Sequence, residues 1–150
     1  MLKLVTTLLM VIVTLTVFGQ AEEPAQWTFS AKKVNDTIFE IHLSAKLEEG
    51  WHIYSQSTPE GGPVATSVSF SKNPQLMLKG DIIEEGKLEK NFETMFGVEV
   101  FRFSKKVDFV QTVLIKPNAK ANASGSITYM TCDDEQCIPP KTVEFSVPVK

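Results

Sequence analysis

The segment from Thr37 to Leu47 reads TIFEIHLSAKL. Phe39, Ile41, Leu43, Ala45 and Leu47 alternate with Glu40, His42, Ser44 and Lys46. In an extended chain successive side chains point to opposite faces, so this segment has one apolar and one polar face. It predicts a half-buried strand of an antiparallel sheet, with His42 a solvated residue on the polar face. The same two-residue period recurs at Val64, Thr66, Val68 and Phe70, and at Phe101 and Phe103 opposite Arg102 and Ser104. Val143, Phe145, Val147 and Val149 close the chain with it. Turn-forming residues separate the runs: Glu49-Gly50, Pro59 to Pro63 with Gly61-Gly62, Asn73-Pro74, Lys79-Gly80-Asp81, Lys116-Pro117-Asn118 and Ser124-Gly125. Past the N-terminal segment no stretch has a helical period, and there is no repeat or low-complexity tract. Several short strands joined by polar turns predict an all-β, immunoglobulin-like antiparallel β-sandwich. A sandwich hosts many activities, so function has to be argued from a site.

Toward the N-terminus, Lys3 precedes an apolar run from Leu4 to Phe18, and small residues follow at Gly19 and Ala21. A charged start, an apolar middle and a small-residue end are the layout of a secretory signal. The run is shorter than the ~20 residues of a membrane-spanning helix. Residues 1–20 are therefore expected to be a signal peptide and residues 21–150 one domain. An uncleaved anchor is the rival reading; lipid attachment is excluded because no cysteine lies near the cleavage point. Past residue 20 the chain carries 14 basic and 18 acidic residues, a formal charge of −4. That argues against a nucleic-acid partner, which needs a basic face.

Tyr129 to Pro140 reads YMTCDDEQCIPP and holds both cysteines, Cys132 and Cys137. Ser126 to Thr131 before it and Thr142 to Val149 after it read as strands, so the pair sits on a short turn. Outside the cytoplasm two cysteines that can meet form a disulfide, and the resting state is expected to be oxidised. Such a bond is either a staple or a reagent. The loop spans only six residues, whose closure stabilises by about 2 kcal/mol, against ~4.7 kcal/mol for a hundred. Stability alone favours linking distant strands; a bond this local suits exchange chemistry, which uses both sulfurs. Asp133, Asp134 and Glu135 lie between the cysteines, and their charge disfavours a thiolate. Tetrahedral metal sites need four Cys or His ligands, and the only histidines are His42 and His52, so no metal is expected.

Three stretches together resemble the amino-terminal periplasmic domain of the DsbD thiol:disulfide interchange family: YMTCDDEQCIPPKTVEFSVPV, GWHIYSQ at Gly50 to Gln56, and FETMFGVEVF at Phe92 to Phe101. The resemblance implies an immunoglobulin-like sandwich with the cysteine pair on a strand-turn-strand insertion. It implies electron transfer from a membrane or thioredoxin-like donor to oxidised periplasmic thioredoxin-fold acceptors, including a disulfide isomerase and a reductase of cytochrome c maturation. It makes Cys137 the sulfur that forms the mixed disulfide and Cys132 the resolving one. It also implies a cap loop at Glu93 to Gly97, with Met95 and Phe96 covering the sulfurs and Gly97 giving the loop backbone freedom. Read from the residues alone, Met95 and Phe96 are ordinary core positions. His52 and Tyr54 share one strand face and match a tyrosine-rich family stretch, which makes them supporting residues; Trp51 and Ile53 take the other face. Asp133, Asp134 and Glu135 would hold the thiols protonated and guide basic partners.

The chain departs from the best-known members at several points. His52 stands where they carry tyrosine, the cysteine spacing is one residue shorter, and Met95 replaces an aromatic residue. The domain is expected to work without a membrane or thioredoxin-like domain of its own, either alone with separate donors or with partners encoded elsewhere. The expected product is a periplasmic electron relay without a cofactor, touching the membrane only through a partner or an uncleaved signal. The competing readings are an immunoglobulin-like binding or adhesion module with a structural disulfide, and a strand-edge chaperone with incidental cysteines.

Overall fold

Strands β1 (Ala25–Lys33) and β2 (Ile38–Leu47) form the first hairpin, with Ala25 opposite Leu47 and Lys33 opposite Phe39. Its turn is held by Asn35, whose side-chain oxygen accepts from the backbone N–H groups of Thr37 and Ile38. This computed structural model describes residues 23–150; the expected signal peptide lies outside the described residues. Six more strands follow: β3 (His52–Tyr54), β4 (Ser67–Phe70), β5 (Leu76–Glu93), β6 (Val98–Ile115), β7 (Ala121–Cys132) and β8 (Cys137–Val149). Every pairing is antiparallel, and no helix occurs among the described residues. The C-terminal half of β6 carries β2 on one edge and β5 on the other. β7 carries β8 on one edge and β4 on the other. The two layers form the immunoglobulin-like sandwich that the alternation predicts.

The apolar faces meet between the layers. Phe39, Ile41 and Leu43 from β2 and Phe109 and Val113 from β6 pack with Ile127 and Tyr129 from β7 and Phe145 and Val147 from β8. Trp27 joins them, its ring centroid 5.1 Å from that of Tyr129. Each fully buried large side chain contributes roughly 1.5–3 kcal/mol, so this interior is the main stabilising term.

β3 is short but decides where the site lies. It hydrogen-bonds to β6 through Arg102–Ser104 and to β7 through Thr131 and Cys132. It therefore draws together the upper ends of the two layers. The β5–β6 turn and the β7–β8 turn, distant in sequence, become neighbours.

Four expectations are corrected. Lys79-Gly80-Asp81 is no chain reversal. It is a bulge inside β5, where the register shifts between Lys79 and Ile83. The buried Gln111 amide fills it, donating to Lys79 O, Gly80 O and Thr112 O. Ser124-Gly125 is likewise not a turn but part of β7. A Cβ on Gly125 would lie 2.1 Å from Ser69 O and 2.8 Å from Phe145 Cζ, so that glycine serves close packing of β4 on β7. Val64 and Thr66 precede the strand that the alternation suggested; β4 begins only at Ser67. His42 is not solvated: its Nδ1 lies 2.6 Å from Asp108 Oδ2, and Ser44 Oγ donates to the other oxygen at 2.9 Å. The β2–β6 register sets Ser44 opposite Asp108, which brings the carboxylate to the imidazole.

Candidate redox site

β7 and β8 stay paired to their tips, where Cys132 and Cys137 face each other. The two are joined as a disulfide, with their Cα atoms 4.0 Å apart. The turn between them is fixed locally. Asp133 N–H donates to Gln136 O, and the Asp133 carboxylate accepts from the backbone N–H groups of Glu135 and Gln136 at 2.8 and 2.7 Å. These two bonds favour the ionised form and hold the Asp133 carboxyl below its usual range. Pro139 and Pro140 lie within β8, an edge strand, where a missing N–H is tolerated. The two sulfur-bearing residues are unequal: Cys132 is fully buried and Cys137 is partly exposed.

The β5–β6 turn lies over this hairpin. Phe96 N–H and Gly97 N–H both donate to Glu93 O, and Gly97 takes φ 70°, a left-handed conformation that glycine adopts without strain. Met95 Sδ sits 3.6 Å from Cys137 Sγ. A bonded disulfide sulfur has no hydrogen to donate, so this is a van der Waals contact between polarisable atoms. Phe96 packs inward against a small cluster of Tyr54, Val100 and Cys132, together with Val98 and Met130.

Beneath the sulfurs lies a buried polar group of four. His52 is directly opposite Cys132 in the ladder. Its Nε2 is 3.0 Å from Tyr54 OH and 3.5 Å from Glu93 Oε2. Tyr54 OH donates to Glu93 Oε2 at 3.4 Å, and Arg102 Nη1 reaches the same oxygen at 3.4 Å. Arg102 Nη1 also lies 3.2 and 3.4 Å from the two His52 ring nitrogens. Burial, then the Arg102 charge, lower the His52 pKa; Glu93 and Asp134 oppose them. Burial, then the Glu93 charge, push the Tyr54 pKa far up, so its hydroxyl stays protonated. The arrangement holds a neutral imidazole, a protonated phenol, a carboxylate and a guanidinium in one hydrogen-bonded set next to a disulfide.

The structure brings Cys132, Cys137, Met95, Phe96, Gly97, His52 and Tyr54 into one place. Asp133, Asp134 and Glu135 form the turn itself; Asp133 points its charge into the turn backbone rather than at the sulfurs. Glu93 belongs to the end of β5, not to the loop tip, and its carboxylate is the buried acid of the polar group. Alternation with Phe101 and Phe103 sets Arg102 on a polar face, whereas the structure makes it a member of that group. Its sequence signal is slight: Val98, partly buried, and Val100, fully buried, precede it on the same two-residue period.

The described residues thus form a sandwich whose disulfide-bonded β7–β8 hairpin lies beside the β5–β6 turn. The family described as thiol:disulfide interchange protein DsbD, N-terminal, matches residues 20–148, and the chain belongs to that family. Membership supports thiol–disulfide interchange as the general chemistry of the cysteine pair. Among solved structures, the N-terminal periplasmic domain of ScsB from Proteus mirabilis is similar, with 24% identity and a TM-score of 0.57. The match covers 85% of this chain and 47% of that one, so the chain spans about half of that relative. The N-terminal domain of DsbD from Neisseria meningitidis, in its reduced form, is similar with 16% identity and a TM-score of 0.51. There the match covers 80% of this chain and 82% of that one. At these identities the likeness shows the fold. No curated protein matches the chain.

Proposed function

We propose that residues 21–150 form a periplasmic relay, exported by a signal peptide at residues 1–20, that passes electrons between proteins through Cys132 and Cys137. In the first half-reaction a donor thiolate, from a thioredoxin-like or membrane protein, attacks a sulfur of the Cys132–Cys137 bond. That bond breaks and a mixed disulfide forms; the donor's second thiol then displaces the domain. The donor leaves as a disulfide and both cysteines become thiols, having gained two electrons and two protons. In the second half-reaction the Cys137 thiolate attacks the disulfide of an oxidised thioredoxin-fold acceptor, of the kind that serves disulfide isomerisation or cytochrome c maturation. Cys132 then attacks Cys137 Sγ, the intramolecular bond re-forms, and the acceptor leaves reduced.

One observation carries the division of labour: Cys132 is fully buried, while Cys137 is partly exposed at the rim beneath Met95. An incoming protein sulfur reaches Cys137, and Cys132 resolves from within. Met95 and Phe96 act as the cap that shields the pair from unsuited oxidants. The acidic turn at Asp133, Asp134 and Glu135 favours a basic rim on the partner.

The test is a trap. Cys132→Ala, expressed with export, should accumulate a mixed disulfide through Cys137 to a thioredoxin-fold protein identifiable by mass spectrometry. Cys137→Ala should not. Recovery of Cys132→Ala with no disulfide-linked protein contradicts the relay.

A further inference from the structure

Met95 is the exposed large residue of the cap turn, and its sulfur touches the site. It is 47% exposed, and its Sδ rests 3.6 Å from Cys137 Sγ. The turn that carries it is fixed at its base, where Phe96 N–H and Gly97 N–H donate to Glu93 O, and Phe96 is packed inward. Met95 is thus the covering part of the loop, and its cover depends on an apolar contact between sulfurs. In the resting state both cysteine sulfurs are bonded to each other. Peroxides attack thiolates and thioethers, so the thioether at the rim is the sulfur they meet first.

Resting on the relay reading of the cap, we propose that Met95 is an oxidation site: its conversion to the sulfoxide uncovers the disulfide and accelerates its reduction. The step is an oxygen-atom transfer from a hydroperoxide. The O–O bond breaks, an S–O bond forms on Met95 Sδ, the sulfur gives up two electrons, and water or an alcohol leaves. The product is a strong hydrogen-bond acceptor, and two bonded cysteine sulfurs offer it no donor. Leaving that oxygen desolvated against them is unfavourable, so the side chain turns to water and the contact with Cys137 is lost. An oxidising environment would then raise electron flow into the very pair whose reducing output is needed, until a methionine sulfoxide reductase resets the cap.

Met77 provides an internal control. It is 68% exposed, more than Met95, and lies on β5 opposite Leu114, at the far end from the cysteine hairpin. The oxidised domain is treated with hydrogen peroxide, sulfoxides are mapped by mass spectrometry, and the rate of disulfide reduction is followed with dithiothreitol and with reduced thioredoxin. Wild type and Met77→Leu should gain on the order of five- to tenfold in the dithiothreitol rate, Met95→Leu should gain nothing, and methionine sulfoxide reductase should reverse the gain. An unchanged rate in protein carrying Met95 sulfoxide overturns the proposal, as does an equal gain in Met95→Leu, or oxidation of Met77 with Met95 left intact. The untreated thioredoxin arm separates the two ideas. If thioredoxin never reduces the pair while the dithiothreitol rates behave as stated, the relay reading fails and the oxidation site stands.

Discussion

Glu93→Ala should destabilise the domain by about 3 kcal/mol, and Glu93→Ala combined with Arg102→Met should cost less than the two single losses added. Glu93 Oε2 is the common acceptor for Arg102 Nη1 at 3.4 Å and Tyr54 OH at 3.4 Å, with His52 Nε2 3.5 Å away. The side chains of Glu93 and Arg102 are only 11% and 16% exposed, so both charges have largely left water. Removing one member of a buried pair costs about 3–5 kcal/mol, because the other charge is stranded. Arg102 keeps Glu89 Oε2 at 3.8 Å from its Nε, and Asn91, with its amide turned to face it, accepts from Nη2 at 2.6 Å. Those remaining partners place the loss at the lower end of the range. Removing both charges strands neither, so a coupling of roughly 1–3 kcal/mol should appear in the double-mutant cycle. Urea unfolding of the four oxidised proteins at neutral pH measures it, and thermal melting should show a drop near ~10 °C for Glu93→Ala. Strictly additive losses, or a Glu93→Ala loss below about 1 kcal/mol, refute the view that this is a coupled buried group.

Three further outcomes are expected. The folded state holds the His52 pKa below its usual value, so on acidification the unfolded chain binds that proton first. The contribution is complete above about pH 6.5 and declines as pH falls through that value. His52→Tyr should lose less stability than wild type between about pH 7.5 and 5 in urea titrations, and equal losses contradict this. Gly125→Val should destabilise by about 3 kcal/mol or more, since even a Cβ meets the Ser69 carbonyl at 2.1 Å; a melting temperature within a degree or so of wild type contradicts the packing role. Met95→Ala combined with Phe96→Ala should speed oxidation of the reduced protein by glutathione disulfide roughly tenfold, and an unchanged rate removes the cap from the account.

The sandwich was legible because Phe39 to Leu47 and Val143 to Val149 keep strict alternation, and alternation follows directly from the pleat. β5 escaped notice because it is a largely exposed strand rich in charge, so neither face of it reads as apolar. Gly80 and Gly125 misled for one reason: a glycine that relieves a bulge or a tight interstrand contact looks, in sequence, like a glycine that reverses the chain. At the site, the closeness of Cys132 and Cys137 in the chain pointed to a bond between them, and the Glu93 to Gly97 turn was set beside them only by resemblance. The polar group as a whole could not be read because it depends on β3 pairing with β6, a long-range contact that brings His52 and Tyr54 to Glu93 and Arg102 of the β5–β6 hairpin. His42 shows the same limit, since its partner Asp108 is set by register rather than by neighbouring sequence.

The most direct measurement is the equilibrium reduction potential of the Cys132–Cys137 pair, obtained by titrating the oxidised domain against dithiol–disulfide buffers. A pair that exchanges electrons with thioredoxin-fold proteins should lie above about −300 mV, within reach of those donors. A value well below about −300 mV would mark the bond as a staple and contradict the account at its root.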